Sequence, residues 1–312
     1  MTTTLGSTAT PRQPVAKPSA ASRRAGLLYG LSAYLIWGFL PLYFHALGAV
    51  PPLIILCHRI IWSALFMALV VSVTGEWSAL RPVLRSRRKL LLLALGALLI
   101  AVNWLIFIYS VATHQLLQAS LGYFINPLLS VALGMLFFRE RLRGWQWLAV
   151  TLAGVAVINL SVRSTGCPWI ALSLAGSFGF YGLVRKAVDI NSLHGLMIES
   201  AFLVPVALVL LSLVPGAKVS GSTVGVLSLS GVLTAVPLLL FGAALRRLEL
   251  SSIGFLQYLG PTLQFLVAYA IFHEPLHPAK LGSFALCWVA IAVYVADSVF
   301  YRHPQTLADE PE

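Results

Sequence analysis

The residues His273-Glu274-Pro275-Leu276-His277 spell the H-E-x-x-H pattern, in which two histidines hold zinc and the glutamate serves as base. That chemistry needs both histidines on one face of a continuous helix, and Pro275 interrupts the motif, so no metal site is expected. No G-x-x-x-x-G-K-[ST] or G-x-S-x-G stretch occurs, which leaves ATP hydrolysis and the nucleophile-elbow hydrolases without their residues. No catalytic residue and no cofactor are expected.

Two ionisable side chains stand inside long apolar runs: Arg59, with His58 beside it, and Glu199. A buried arginine costs ~2.5 kcal/mol or more in a bilayer, so it must face protein or water. Functional readings are anion attraction by Arg59 and a coupling proton carried by Glu199. The other reading is an ion pair between them or snorkelling, since their levels differ by roughly 6 Å in a ~30 Å core. Neutral polar groups also fall within apolar runs. Asn103 is set to contact a substrate or to bond a neighbouring helix. Pro127 and Pro261 fall near the middle of their runs, where each frees the carbonyl four residues earlier, those of Tyr123 and Gln257. Asn126, Ser130 and Gln264 lie on the same helical faces. Backbone freed at the midplane of a membrane carrier lines its substrate cavity; a plain helix kink with polar groups bonding neighbouring helices is the alternative.

The elements that must hold these residues follow from composition. Of 312 residues, 59% are apolar and only 10% charged. Soluble domains run near ~25% charged, so there are too few charges to cover a water-facing surface. Apolar runs fall at about 26–47, 51–73, 90–111, 116–138, 145–162, 167–184, 193–214, 224–245, 251–272 and 279–300. They lack the alternation of barrel strands and read as ten membrane-spanning helices. Residues 1–24, rich in Thr, Ser, Pro and Ala, read as a flexible tail, and 301–312 as a second one. The net charge of +11 does not form a nucleic-acid face, because the cations are spread between spans. With a cytoplasmic N-terminus, seventeen of the 21 Lys and Arg fall in inner segments and only Arg163, Lys218 and Lys280 in outer loops. By the positive-inside rule both termini then face the cytoplasm. Cys57, Cys167 and Cys287 are too scattered for a disulfide framework. Trp145, Trp147 and Trp169, at span ends, read as interfacial anchors.

A fixed offset of 134 aligns 98–142 with 232–276 without a gap, and eleven of the forty-five positions are identical, Pro127/Pro261, Phe138/Phe272 and Glu140/Glu274 among them. The offset places spans 3 and 4 on spans 8 and 9. Five spans per half force the second half to enter the membrane upside down, which is the inverted repeat of many secondary transporters. Glu140 and Glu274 then end their spans on opposite faces, as matched loop anchors bonding helix N-termini.

The stretches ASLGYFINPLLSVALGMLFFRERLRGWQWLAV (119–150) and GFLQYLGPTLQFLVAYAIFHEPL (254–276) resemble the drug/metabolite transporter superfamily, and within it the RarD subfamily of EamA-type carriers. The resemblance runs over about 25–300. It implies an all-α integral membrane protein of ten transmembrane helices in two inverted five-helix repeats, 25–162 and 163–300, in a bacterial-type inner membrane. It also implies alternating-access movement of a small organic molecule, with no settled substrate. A passive channel and, more remotely, an intramembrane enzyme are the competing classes. Expected partners are a small-molecule substrate, the lipid bilayer and a coupling proton, with no nucleic acid.

Overall fold

A computed structural model describes residues 20–48, 50–138, 144–163, 168–188, 190–214, 219–245, 247–248, 256–276 and 278–300. Among them there is no strand. The helices are α1 (Ala20–Ala46), α2 (Pro52–Thr74), α3 (Trp77–Leu84), α4 (Arg87–Ala112), α5 (Leu116–Phe138) and α6 (Gly144–Arg163). They continue as α7 (Trp169–Val188), α8 (Ser192–Leu213), α9 (Gly221–Leu245), α10 (Leu259–Leu266) and α11 (Pro278–Phe300). A π-helical turn, Val267–Ile271, extends α10. Five helices among the described residues are long and apolar enough to cross a bilayer: Ala21–Ala46, Pro52–Thr74, Arg87–Ala112, Leu193–Leu213 and Gly221–Ala244.

Their ends carry ordinary stop and start signals. Pro52 opens α2 at a position whose N–H has no helical partner, and Gly75 closes it in the left-handed region (φ 70°). The Ser86 side chain accepts from the Lys89 N–H at the start of α4, and the Asn191 side chain accepts from the Leu193 N–H at the start of α8. Side chains such as Val73 (79% exposed) and Leu91 (72%) cover the outside, an apolar surface that only lipid satisfies. Trp145, Trp147 and Trp169 are exposed at or near the first residues of α6 and α7.

Helices of the two halves pack on each other. α1 packs on α9 and α10, α2 on α8 and α9, α4 on α7 and α8, α5 on α7 and α10, and α6 on α11. The approach of α5 to α7 is close enough to require glycine: a Cβ on Gly122 would lie 2.6 Å from the Ala171 carbonyl oxygen.

Three departures from the sequence reading stand out. Helix α1 starts at Ala20, inside the stretch read as a tail; residues 1–19 and 301–312 lie outside the described ones. The segment 77–84, read as loop, forms the short helix α3, which buries Leu80 and Val83. The run 251–272 is not one regular helix: a turn at Tyr258 precedes α10 and a π-helical turn ends it.

Candidate functional site

The two prolines behave differently. Pro261 is the third residue of α10, within the first turn, where a missing N–H costs nothing. Its carbonyl is taken by the Ser120 hydroxyl of α5 at 2.7 Å. Helix α5 instead runs on through Pro127, so Pro127 does not break its helix. The side chains of Pro127 and Ser130 lie outside the described ones, as does all of Glu140.

Pro261 opens onto a cavity of about 430 Å³ between the helices. Arg59, Asn103, Tyr123, Asn126, Gln257 and Gln264 line it too. Half of the remaining wall is aromatic, chiefly in two arrays. Tyr34 and Trp37 of α1 meet Phe241 of α9, with ring centroids 6.0 and 5.8 Å from it. Phe107 of α4 meets Tyr123 of α5 at 5.7 Å, and Tyr123 meets Phe178 of α7 at 6.3 Å. The spacing of 134 recurs within the wall. Ile100/Thr234, Trp104/Leu238, Phe107/Phe241, Tyr123/Gln257 and Asn126/Gly260 all line the one cavity.

Arg59, on α2, is 4% exposed. Its Nε donates to the Thr234 hydroxyl at 2.9 Å, and its Cζ lies 4.2 Å from the centre of the Trp104 ring. Cation–π contact with a desolvated tryptophan contributes about 2 kcal/mol, and the charged hydrogen bond about 1.5–3, which lower the cost of burying the charge. Nη1 has no acceptor.

Glu199, on α8, does not reach Arg59, so the ion pair between them that the sequence allowed does not form. Its Oε2 accepts from the Tyr181 hydroxyl at 3.0 Å and its Oε1 from Arg185 Nη1 at 3.4 Å. Tyr181 and Arg185 are one turn apart on α7 and line the cavity, while Glu199, at 1% exposure, stands behind them. Gly195 makes room for Arg185: a Cβ there would collide with the guanidinium. Sequence reasoning missed Arg185, which it counted as a loop cation, and also Tyr181, Thr234 and the aromatic wall. The four-residue spacing of Tyr181 and Arg185 was the available signal.

Three amides divide by their hydrogen bonds. Asn103 is occupied: its Nδ2 donates to the Leu174 carbonyl (3.1 Å) and the Ser177 hydroxyl (3.0 Å), and its Oδ1 accepts from the Tyr123 hydroxyl (3.1 Å). It bonds a neighbouring helix, α7. Gln264 donates to the Trp37 carbonyl at 3.3 Å, but its Oε1 has no partner, nor has Asn126 Oδ1. Both side chains are buried, and such groups are costly unless something else completes them.

Two polar contacts join the halves beyond the cavity. Glu274 accepts from the backbone N–H groups of Leu116 and Leu117 at 2.6 and 2.9 Å, bonding the N-terminus of α5. Residues 273–276 are not helical, and His273 has φ 52°, so the H-E-x-x-H letters have no helix to sit on; His277 lies outside the described residues. The second contact, Glu76 Oε2 to His194 Nε2 at 2.7 Å, ties the α2–α3 turn to the start of α8. The 26 residues of α4 lie between the two contacts, a rise of about 39 Å, so they sit at opposite ends of the molecule.

Comparison with known proteins points one way. Residues 24–162 match the EamA-like transporter family. Protein RarD of Escherichia coli (strain K12) is 44% identical over 287 residues, which cover 90% of this chain and 97% of that one. An uncharacterized transporter of Vibrio cholerae serotype O1 is 41% identical over 292 residues, covering 92% and 97%. One solved crystal structure matches with a TM-score of 0.60 at 19% identity, covering 87% of this chain and 97% of that chain, a likeness of fold.

Proposed function

The chain belongs to the EamA-like transporter family, in its RarD branch, and on that premise we propose that it is a secondary carrier. It moves a small organic molecule across the bacterial inner membrane by alternating access through the central cavity. The observation that carries this reading is the set of five residue pairs, each separated by the same 134 positions, on one cavity wall. A cavity supplied twice over by the same positions lies on the axis relating two halves. That supports ten spans arranged as inverted repeats over 25–162 and 163–300. The helix packing agrees with it. Exchanging α1 with α7 and α4 with α9 turns the α1–α9 contact into the α7–α4 contact, and both are extensive.

Asn126, Gln264, Tyr123 and Gln257 contact the solute in this reading, with Asn103 holding Tyr123 in place. The contacts at Glu274 and at Glu76–His194 act as closures at the two ends, released in turn as one half rocks against the other. Both termini face the cytoplasm. Arg185 and Glu199 form a structural pair in the wall.

Transport by purified protein in liposomes tests the proposal. Saturable uptake of a small organic acid, amino acid or related solute, without ohmic current, is expected. Uptake that rises linearly with concentration and carries current would make the protein a channel.

A further inference from the structure

We propose that the cavity takes an organic monoanion with a planar apolar body, its anionic group seated on Arg59. The inference rests on the carrier reading and adds the chemical class of the solute.

Two guanidinium groups line the cavity, Arg59 and Arg185. Arg185 is matched by Glu199 at 3.4 Å. Arg59 makes no ion pair among the described residues, and the Tyr181 and Tyr123 hydroxyls near these groups are neutral donors. The walls therefore hold one positive charge in excess. The Arg59 side chain is held on two sides, by Thr234 at Nε and by the Trp104 face, while Nη1 is buried with no acceptor. Rings lie over the guanidinium, Trp104 at 4.2 Å and Phe44 at 5.6 Å, so an acceptor for its remaining N–H groups has to come in the guanidinium plane, the direction from which a carboxylate oxygen accepts an N–H bond. A cationic solute would meet an uncompensated like charge, and a neutral one could offer Nη1 only an uncharged acceptor, which leaves the charge unbalanced and makes the weaker bond.

The rest of the solute is read from the rest of the wall. The aromatic arrays around Trp37 and Phe107 receive a flat apolar body edge-on or offset-stacked. Asn126 Oδ1 and Gln264 Oε1, both without partners, accept from an N–H or O–H on the solute. The cavity volume of about 430 Å³ suits a one- or two-ring acid.

The test uses three probes sharing one body, 3-phenylpropionate, its neutral amide and 3-phenylpropylamine, together with indole-3-acetate and its amide. Thermal unfolding of the purified full chain is followed against probe concentration, since a ligand bound to the folded state raises the midpoint. The acids should bind about tenfold or more tightly than their amides, and the amine should not bind. Arg59→Gln should bring each acid down to the level of its amide while leaving the amide unchanged. The acid-to-amide ratio in the unaltered protein needs no variant, so it decides even where Arg59→Gln fails to fold. An amide or amine that binds as well as the acid overturns the inference, as does an acid preference that survives Arg59→Gln, or no binding by any probe. Saturable liposome uptake of a cation or neutral solute would overturn the anion class and leave the carrier standing. Non-saturable uptake of every solute would overturn the carrier reading itself.

Discussion

Leu116 and Glu274 stand 158 positions apart in the chain, yet the Glu274 carboxylate accepts the Leu116 backbone N–H at 2.6 Å. The second oxygen takes the Leu117 N–H. A carboxylate from the second half thus completes the orphan donors at the start of a helix in the first, where the helix dipole favours negative charge. Glu274→Ala removes both charge-assisted bonds and should cost about 1.5–3 kcal/mol, read as a lowered unfolding midpoint. Glu274→Gln keeps one acceptor oxygen and should lose less. Equal losses in the two variants would mean that the carboxylate is not the partner of these amides.

The pairing of Glu199 with Arg185 makes a second prediction. Arg185→Met leaves a buried carboxylate alone and should destabilise by about 3–5 kcal/mol, whereas Glu199→Gln, whose oxygen still accepts from Arg185 while its amide nitrogen donates to the Tyr181 hydroxyl, should be milder. Gly195→Ala should behave like a weaker Arg185→Met, because the added Cβ drives the guanidinium away. If Glu199→Gln instead shifts the pH profile of uptake, Glu199 carries a proton and is more than a structural partner.

Asn126 and Gln264 should show opposite effects on stability and on binding. Each amide oxygen is buried and unpartnered without solute. Asn126→Leu should therefore hold or raise the unfolding midpoint, and Gln264→Leu, which also gives up its bond to the Trp37 carbonyl, should gain less or lose a little; each should weaken solute binding by ~1–3 kcal/mol. Residues touching one ligand are coupled, so the double variant should fall short of or exceed the sum. Asn103→Leu, by contrast, breaks three helix–helix bonds and should lower stability by ~0.6–1.7 kcal/mol per bond. Unchanged binding in both single variants would move the site away from these amides.

Orientation is checked by labelling. In a background without Cys57, Cys167 and Cys287, a cysteine at exposed Ser220 should react with an impermeant reagent added outside the cell. A cysteine at Ser78 should react only after the membrane is opened. The reverse pattern would place both termini outside.

What the sequence reveals about this site, and what it hides, follows from the membrane. Arg59 and Glu199 were visible because a charge in an apolar run is costly wherever it falls. Pro261 and Glu274 were visible because the offset repeats them. Glu199's partner was hidden, since Arg185 reads as a loop cation beside Lys186 and only the packing of α7 against α4 and α5 turns its side chain inward. Trp37, Phe178 and Phe241 were hidden because these helices are apolar all round, so nothing in their pattern separates a cavity face from a lipid face. Helix α3 was missed because a two-turn helix between spans has too little apolar surface to stand out.

The central claim is that one cavity opens to the two faces in turn, with Glu274–Leu116 closing one end and Glu76–His194 the other. A cysteine replacing Leu238, on the cavity wall, can be labelled with an impermeant reagent from outside in cells and from inside in inverted vesicles. Glu274→Gln should raise the outside rate and lower the inside one, and His194→Ala should do the reverse. Variants that speed labelling from both faces together, or change neither rate, would contradict alternating access.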